Sequence, residues 1–155
     1  MHWRIWRDDE QTNSSTFETM NDFYIGIVTT IVIIGLVEIF KFFEKRLIGA
    51  LTLVGIAFIY IGFSWSDIPS LIYAILGVAL FFVLSYFGYK KNFFLIIIGL
   101  ILHGIWDILF PYFSSTAPEG YGIFCLTIDV LLALYFYIRV KPLKQLGKEK
   151  NGQLK

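Results

Sequence analysis

The chain has 155 residues, of which 57% are hydrophobic and 19% aromatic, while only 16% are charged. An ordinary soluble domain is roughly 25% charged, so this composition argues against a soluble protein and indicates an integral membrane protein. The formal net charge is +1, and the charged residues are separated along the chain instead of forming one basic face, which excludes a nucleic-acid-binding protein.

The N-terminal segment, residues 1–22, is polar and contains no apolar core long enough for a cleavable signal peptide. We expect this segment to form an extracytoplasmic tail. The first membrane-spanning helix then has to act as the targeting element.

Five apolar stretches follow, each close to the roughly 20 residues that a helix needs to cross about 30 Å of hydrocarbon. Their predicted limits are 23–43, 47–64, 69–88, 93–111 and 121–140. The connections between them are short and rich in turn residues, which leaves no room for a soluble domain. The sequence therefore predicts an all-α, integral membrane five-helix bundle over residues 23–140, followed by a basic cytoplasmic tail at 141–155.

The basic residues predict the orientation of the bundle. Of the 13 Lys and Arg residues, only Arg4 and Arg7 precede the first span. The others lie in the first connection, the third connection and the C-terminal segment: Lys41, Lys45, Arg46, Lys90, Lys91, Arg139, Lys141, Lys144, Lys148, Lys150 and Lys155. By the positive-inside rule, the N-terminus is outside and the C-terminus is cytoplasmic, which requires an odd number of spans.

The second and third spans resemble the fourth and fifth. Each pair starts from a basic connection, and each has a Trp, an Asp and a Pro at its outer turn: Trp65, Asp67 and Pro69; Trp106, Asp107 and Pro111. This pattern predicts one helix followed by two hairpins in the same orientation, a parallel repeat about an axis along the membrane normal. Two unrelated apolar hairpins would share the same features, so both interpretations stay open.

Ionisable residues interrupt the last two spans. His103 and Asp107, within "LHGIWDILFP", are four residues apart and therefore share one helix face, and Cys125 and Asp129 repeat that spacing. Counted from the outer boundary at 1.5 Å per residue, His103 and Asp129 both lie about 12 Å deep. If the two spans pack as an antiparallel hairpin, His103 meets Asp129 and Asp107 meets Cys125. We therefore expect one polar cluster in the outer half of the membrane.

The free-energy cost of placing ionisable residues within a membrane span favours a functional role for them. An Asp at the bilayer centre costs about 2.5 to 3.5 kcal/mol on insertion scales, and ionisable residues in spans commonly mark functional sites. The structural alternative is interhelical hydrogen bonding, with Asp107 reaching headgroup water, Cys125 filling space and Trp106 serving as an interfacial anchor. The candidates for binding or proton handling are His103, Asp107, Asp129, Trp106 and Cys125.

The residue types exclude some kinds of functional site and permit others. His2 and His103 are the only histidines, so a three-histidine zinc site within the membrane is excluded. One histidine with two aspartates can hold a divalent metal, which makes His103, Asp107 and Asp129 candidate metal ligands. A nucleophilic triad of Cys125, His103 and an aspartate has suitable residue types, but the depths pair Cys125 with Asp107. No nucleotide-phosphate or haem-attachment motif occurs, and the sequence identifies no cofactor.

The stretch from 102 to 140 carries "HGIWD" and then "CLTID". It resembles an H-G-x-W-D... C-x-x-x-D pattern found in small uncharacterised prokaryotic polytopic membrane proteins. The resemblance covers only the last part of the chain and implies no activity. It implies that five residues belong together as one signature: His103, Trp106, Asp107, Cys125 and Asp129.

These observations leave three functional hypotheses. The first is a site that binds or translocates a small ligand, ion or proton and opens to the non-cytoplasmic side. The second is an intramembrane enzyme that acts on a lipid or other apolar substrate, with His103 as general base. The third is a structural or partner-binding subunit. The expected partners are the lipid bilayer and either a second copy of the chain or another membrane protein.

Overall fold

The computed structural model describes residues 3–39 and 44–152, and it describes side chains within 19–39 and 44–139. These residues form five long helices and one short 3-10 helix, and no strand occurs among them. The helices are α1 (Trp3–Ile39), α2 (Lys45–Ser64), α3 (Ile68–Lys90), α4 (Phe94–Leu109) and α5 (Tyr121–Gly152), with the 3-10 turn Phe110–Tyr112 after α4. The predicted all-α class and the five helices are confirmed.

Each long helix contains a segment that is long and apolar enough to cross a membrane. These segments are Thr19–Ile39, Lys45–Ser64, Ile68–Lys90, Phe94–Tyr112 and Tyr121–Arg139. The protein is therefore a multi-pass membrane helical bundle, as the composition predicts. Residues 40–43 of the first predicted span, with Lys41, and residues 153–155 of the predicted tail lie outside the described residues. The limits of the tails and the side of the membrane that each end faces stay predictions.

Local signals set the helix ends near the short connections. At the start of α3, the Asp67 carboxylate accepts a hydrogen bond from the Ser70 backbone N–H at 3.1 Å, and Pro69 lies in the first turn. An acidic cap followed by proline is a typical helix start, because the carboxylate accepts from a free N–H group of the first turn and proline has no N–H that needs a partner. Pro111 falls within the 3-10 turn that follows α4. The hairpin turns are therefore fixed by local residues.

The helices pack as two antiparallel hairpins with one further helix. The hairpins are α2 with α3 and α4 with α5; α4 also contacts α2 and α3, and α1 packs against α5. The spanning segment of α4 is 44% buried, whereas that of α1 is 11% buried. Polar residues on the inward face of α4 are therefore shielded from lipid.

The two hairpins differ at their outer turns. Asp67 caps a helix, whereas Asp107 lies inside α4 and is fully buried. Trp65 is 77% exposed, as an interfacial anchor would be, whereas Trp106 is half-buried. The aligned residues therefore have different surroundings, and the proposed duplication stays a prediction.

Glycines bring the backbones of α4 and α5 together. A Cβ atom on Gly122 would lie 2.8 Å from the Asp107 carbonyl oxygen, and one on Gly104 would lie 2.8 Å from Leu126 Cδ1. A distance below 3 Å is closer than real Cβ contacts, so neither position has room for a side chain unless its neighbour moves. Small residues allow this close approach in membrane helices, and here they set the separation of the two helices beside the ionisable residues.

A charged network joins three helices at the end of the bundle that the basic residues predict to be cytoplasmic. The Glu38 carboxylate of α1 accepts hydrogen bonds from the Tyr135 hydroxyl and the Arg139 guanidinium of α5. Lys45 Nζ of α2 lies 3.6 Å from the same oxygen. This network ties α1 to the rest of the bundle, at the opposite end from the polar residues of α4.

A buried histidine and aspartate cluster as the candidate functional site

The structure brings His103, Asp107 and Asp129 together. The distance from His103 Nδ1 to Asp129 Oδ2 is 2.8 Å, and that from the same nitrogen to Asp107 Oδ1 is 3.4 Å. The three residues are 1%, 0% and 1% exposed. We call them the His–Asp cluster. The contact between His103 and Asp129 is the one that equal depth in two antiparallel spans predicts.

Two elements hold the cluster. His103 and Asp107 project from the same face of α4, one turn apart, because their spacing matches the helical repeat. Asp129 comes from α5, whose backbone is held close to α4 at Gly104 and Gly122. The close packing of these helices leaves the carboxylate no path to the lipid, so it faces the imidazole.

Tyr60 of α2 adds a fourth group that sequence reasoning missed. Its hydroxyl donates a hydrogen bond to Asp107 Oδ1 at 2.6 Å, and the residue is 2% exposed. The signal that could have found it is a stripe of mostly small residues at helical spacing on the buried face of α2: Gly49, Ala50, Leu53, Ala57, Tyr60 and Ser64. A tyrosine within such a stripe is inside the bundle and needs a hydrogen-bond partner there.

Cys125 is buried and makes no hydrogen bond to Asp107. Asp107 Oδ1 accepts its hydrogen bond from Tyr60, and Asp107 Oδ2 accepts none from the described residues. The partner of Asp107 is therefore a tyrosine that enters from α2, which depth counting within one hairpin cannot detect. Cys125 lies near the carboxylates but outside their hydrogen bonds.

Aromatic rings surround the cluster. The ring centroids of Phe81 and Tyr60 lie 4.7 and 5.9 Å from that of His103. Trp106 packs against Phe81 and Phe110 and lies over Gly77 of α3, where a Cβ would be 3.0 Å from the indole. Trp106 therefore forms part of the wall around the cluster. Such an apolar wall strengthens every electrostatic interaction inside it.

Two polar atoms of the cluster have no partner. His103 Nε2 and Asp107 Oδ2 are buried and make no hydrogen bond to any group in the described part of the chain. A buried polar group without a partner costs about 1 to 3 kcal/mol, more if it is charged. The cluster also holds two carboxylates against one imidazole, so ionised carboxylates leave it with excess negative charge. Both features make the cluster a candidate site for a further polar or charged group, which includes water.

The arrangement supports two kinds of chemistry. One ligand atom from each of the three residues can be chosen so that all lie within 4.8 Å of one another, which is close enough to surround a small cation. Alternatively, the His103 ring, held through Nδ1 by Asp129, presents its second nitrogen as a base. Tyr60 orients Asp107 in the first case, and Asp129 orients the His103 ring in the second.

Comparison with known proteins places the cluster within a family. Residues 21–142 match the model of a family of unknown function, DUF6010. The match includes the whole His–Asp cluster and Tyr60. No curated protein and no solved structure matches the chain. The resemblance to uncharacterised membrane proteins agrees with this match, while the H-G-x-W-D... C-x-x-x-D pattern as a signature stays a prediction.

Proposed function

We propose, for a chain that belongs to the DUF6010 family of unknown function, that the protein binds a small cation within the membrane. The site is the His–Asp cluster. The observation that carries the proposal is a fully buried group of two aspartates and one histidine in which His103 Nε2 and Asp107 Oδ2 lack partners.

Charge balance is the physical reason for a cation. Ionised carboxylates in a low-dielectric interior lose several kcal/mol of hydration each, and only a nearby positive charge repays this cost. A neutral His103 supplies no positive charge, and a protonated His103 supplies one. The ionised carboxylates of Asp107 and Asp129 carry two negative charges. The hydrogen bonds and ion pairs of the cluster include no Lys or Arg, so its charge is balanced either by protons on the carboxyl groups or by a bound cation. The unpartnered buried atoms favour the cation.

The packing supports access from the non-cytoplasmic side. Asp107 lies two residues before the end of α4, at the end of the bundle that the basic residues predict to be outside. Towards the other end, the interior is filled by Leu53, Ile96 and Leu100, each 0% exposed. The shorter path for a cation therefore runs through the outer turns, where the fully buried Phe110 ring would have to move. Movement across the membrane would also require the apolar inner half to open.

Thermal melting of the purified protein tests cation binding. After treatment with a chelator, the protein is melted in detergent with chloride salts of Na⁺, K⁺, Mg²⁺, Ca²⁺, Mn²⁺, Co²⁺ and Zn²⁺. An ion at 100 times its Kd stabilises a protein by about 2.7 kcal/mol, which corresponds to a rise in Tm of about 5 to 10 °C at this chain length. We expect at least one ion to produce such a rise.

Matched variants test whether the rise in Tm comes from ion binding at the His–Asp cluster. Asp107→Asn and Asp129→Asn remove one charge each at constant shape, and we expect both to abolish the rise. Asp67→Asn is the control, because Asp67 only caps α3 and asparagine caps equally well. The proposal fails if no ion raises the Tm, or if the rise persists in both cluster variants.

A second candidate function is an intramembrane enzyme, favoured by the free Nε2 atom of His103. With Nδ1 held by Asp129, that nitrogen can accept a proton from an apolar substrate or from water. The test is incubation with a lipid mixture and analysis of products. His103→Ala would abolish the product of an enzyme, whereas Cys125→Ala would leave it unchanged because the thiol is outside the cluster. A cation-binding protein without enzymatic activity yields no product in either case.

A further inference from the structure

We infer that the cation is a divalent first-row transition-metal ion held directly by His103, Asp107 and Asp129. This inference rests on the proposed cation-binding function and names the class of ion. The argument uses the distances between the donor atoms, their chemical types, their charge and the support that one of them receives from α2.

Two of the three distances between donor atoms match the edges of a metal coordination shell, and ligand atoms chosen one from each residue all lie within 4.8 Å of one another. Bonds from zinc to nitrogen or oxygen are about 2.0 to 2.2 Å long, so neighbouring ligand atoms lie about 3.4 Å apart in a tetrahedron and about 3.0 Å apart in an octahedron. From His103 Nδ1, the distances to Asp129 Oδ2 and Asp107 Oδ1 are 2.8 and 3.4 Å. Shifts of a few tenths of an ångström admit an ion, and Nδ1 then binds the metal instead of carrying a proton.

The donor types select the class of ion. Imidazole nitrogen suits zinc, iron, nickel and copper, whereas calcium takes six to eight oxygen ligands and magnesium keeps several waters. Among the rings around the cluster, Phe81 and Trp106 offer no oxygen ligand, and the Tyr60 hydroxyl is already hydrogen-bonded to Asp107. A small ion that accepts few ligands and one nitrogen therefore fits better than an alkali or alkaline-earth ion.

The charge of the donors matches a divalent ion. Two carboxylates and a neutral imidazole carry a charge of −2, which one divalent ion cancels. A neutral unit avoids the large desolvation penalty that net charge incurs in an apolar interior. A monovalent ion would leave one negative charge among the aromatic rings.

Tyr60 supports the metal site without needing to bind the ion. Its hydroxyl donates to Asp107 Oδ1 at 2.6 Å, and the second lone pair of that oxygen remains for the ion. Groups that orient metal ligands in this way affect affinity by about 10- to 100-fold. We therefore assign Tyr60 as a positioning residue.

Cobalt(II) is the probe, because its visible absorption reports its ligand geometry. The test uses the full chain with His2→Ala as background, so that the N-terminal histidine cannot bind the metal. Titration with Co²⁺ after chelator treatment is followed by absorption, and equilibrium dialysis gives the stoichiometry. We expect about one Co²⁺ per chain, displaced by Zn²⁺. Tyr60→Phe should retain the band with about 10- to 100-fold weaker affinity.

Three further variants distinguish the residues that bind Co²⁺ directly from a nearby residue that does not. His103→Gln and Asp129→Asn should abolish the band while leaving the helical circular dichroism unchanged. Cys125→Ala should leave both the intensity and the shape of the band unchanged, because the thiol is not a ligand. Binding that survives His103→Gln, or a band that changes in Cys125→Ala, would overturn the assignment of ligands.

Melting with the series of cations also distinguishes the transition-metal inference from the proposed cation-binding function on which it rests. If Na⁺, K⁺, Mg²⁺ or Ca²⁺ raises the Tm through Asp107 and Asp129 while Co²⁺ and Zn²⁺ do not bind, the transition-metal inference is wrong and the cation site stands. If no ion binds, both are wrong. Co²⁺ binding at one equivalent that requires His103 supports both.

Discussion

Asp129 is the residue at which a functional and a structural role predict opposite results. It is 1% exposed, and its carboxylate lies 2.8 Å from His103 Nδ1. Two ionised carboxylates at these positions would repel each other in an apolar interior unless a cation lay between them. If Asp129 serves a ligand, the protein keeps it at a cost in stability, as functional sites often do.

We therefore predict that Asp129→Asn melts at the same temperature as the unaltered metal-free protein, or higher. The asparagine carbonyl still accepts a hydrogen bond from His103, while one buried charge is lost. Thermal melting in detergent over a pH series measures the effect. The control is Ser85→Ala, which removes a buried hydrogen bond to the Ala50 carbonyl and should cost about 1 kcal/mol. A Tm for Asp129→Asn that is lower at every pH would establish a packing role instead.

The sequence predicts the positions of His103 and Asp129 well because both lie on long helices with a regular rise. Counting residues from the turn therefore places them at one depth, and the hydrogen bond follows. Tyr60 and its bond to Asp107 are different. α2 is apolar on all sides, so hydropathy does not show which face is inside, and a contact between non-adjacent spans depends on how the hairpins pack.

At the scale of helices, the contact between α4 and α5 determines whether the cluster forms. We predict that Gly122→Ala separates the two helices at Asp107, because the new Cβ would lie 2.8 Å from a backbone carbonyl that cannot rotate away. Overpacking of this kind costs about 1 to 3 kcal/mol. Thermal melting and Co²⁺ titration measure the effect, and both Tm and metal affinity should fall.

The control for this substitution is Gly62→Ala on α2. A Cβ at Gly62 meets nothing within 4 Å, and alanine is a better helix former than glycine by about 0.5 to 1 kcal/mol. Its Tm should be unchanged or slightly raised, with unchanged Co²⁺ affinity. Equal behaviour of the two variants would show that close contact at Gly122 is not required for the cluster.

Hydropathy predicts the number of helices but not their full lengths. The apolar runs give five spans, since only apolar residues tolerate hydrocarbon. Helix α1 nevertheless begins at Trp3, and α5 continues to Gly152, through segments that are polar. Helices can continue outside the hydrocarbon, where water competes for the backbone groups but does not prevent helix formation, so the end of an apolar run marks the membrane boundary and not the end of the helix.

For the whole molecule, the distribution of basic residues predicts that the connection between α4 and α5 is outside and that between α3 and α4 is cytoplasmic. The single native cysteine makes this testable. In a Cys125→Ala background, Ser115→Cys and Asn92→Cys place one exposed thiol in each connection. A membrane-impermeant maleimide should label Ser115→Cys in intact cells, and Asn92→Cys only after permeabilisation. The reverse pattern would invert the bundle and place the His–Asp cluster in the cytoplasmic half.

The central position of α4 has a consequence for how the chain assembles. Chains are synthesised and inserted from the N-terminus, and α4 brings Asp107 into the membrane, where an isolated Asp costs about 2.5 to 3.5 kcal/mol. Its partner Tyr60 is already present on α2, whereas Asp129, the partner of His103, arrives on the last span. The cluster is therefore completed only when α5 has inserted, and a chain that stops before α5 leaves His103 and Asp107 in the membrane without Asp129.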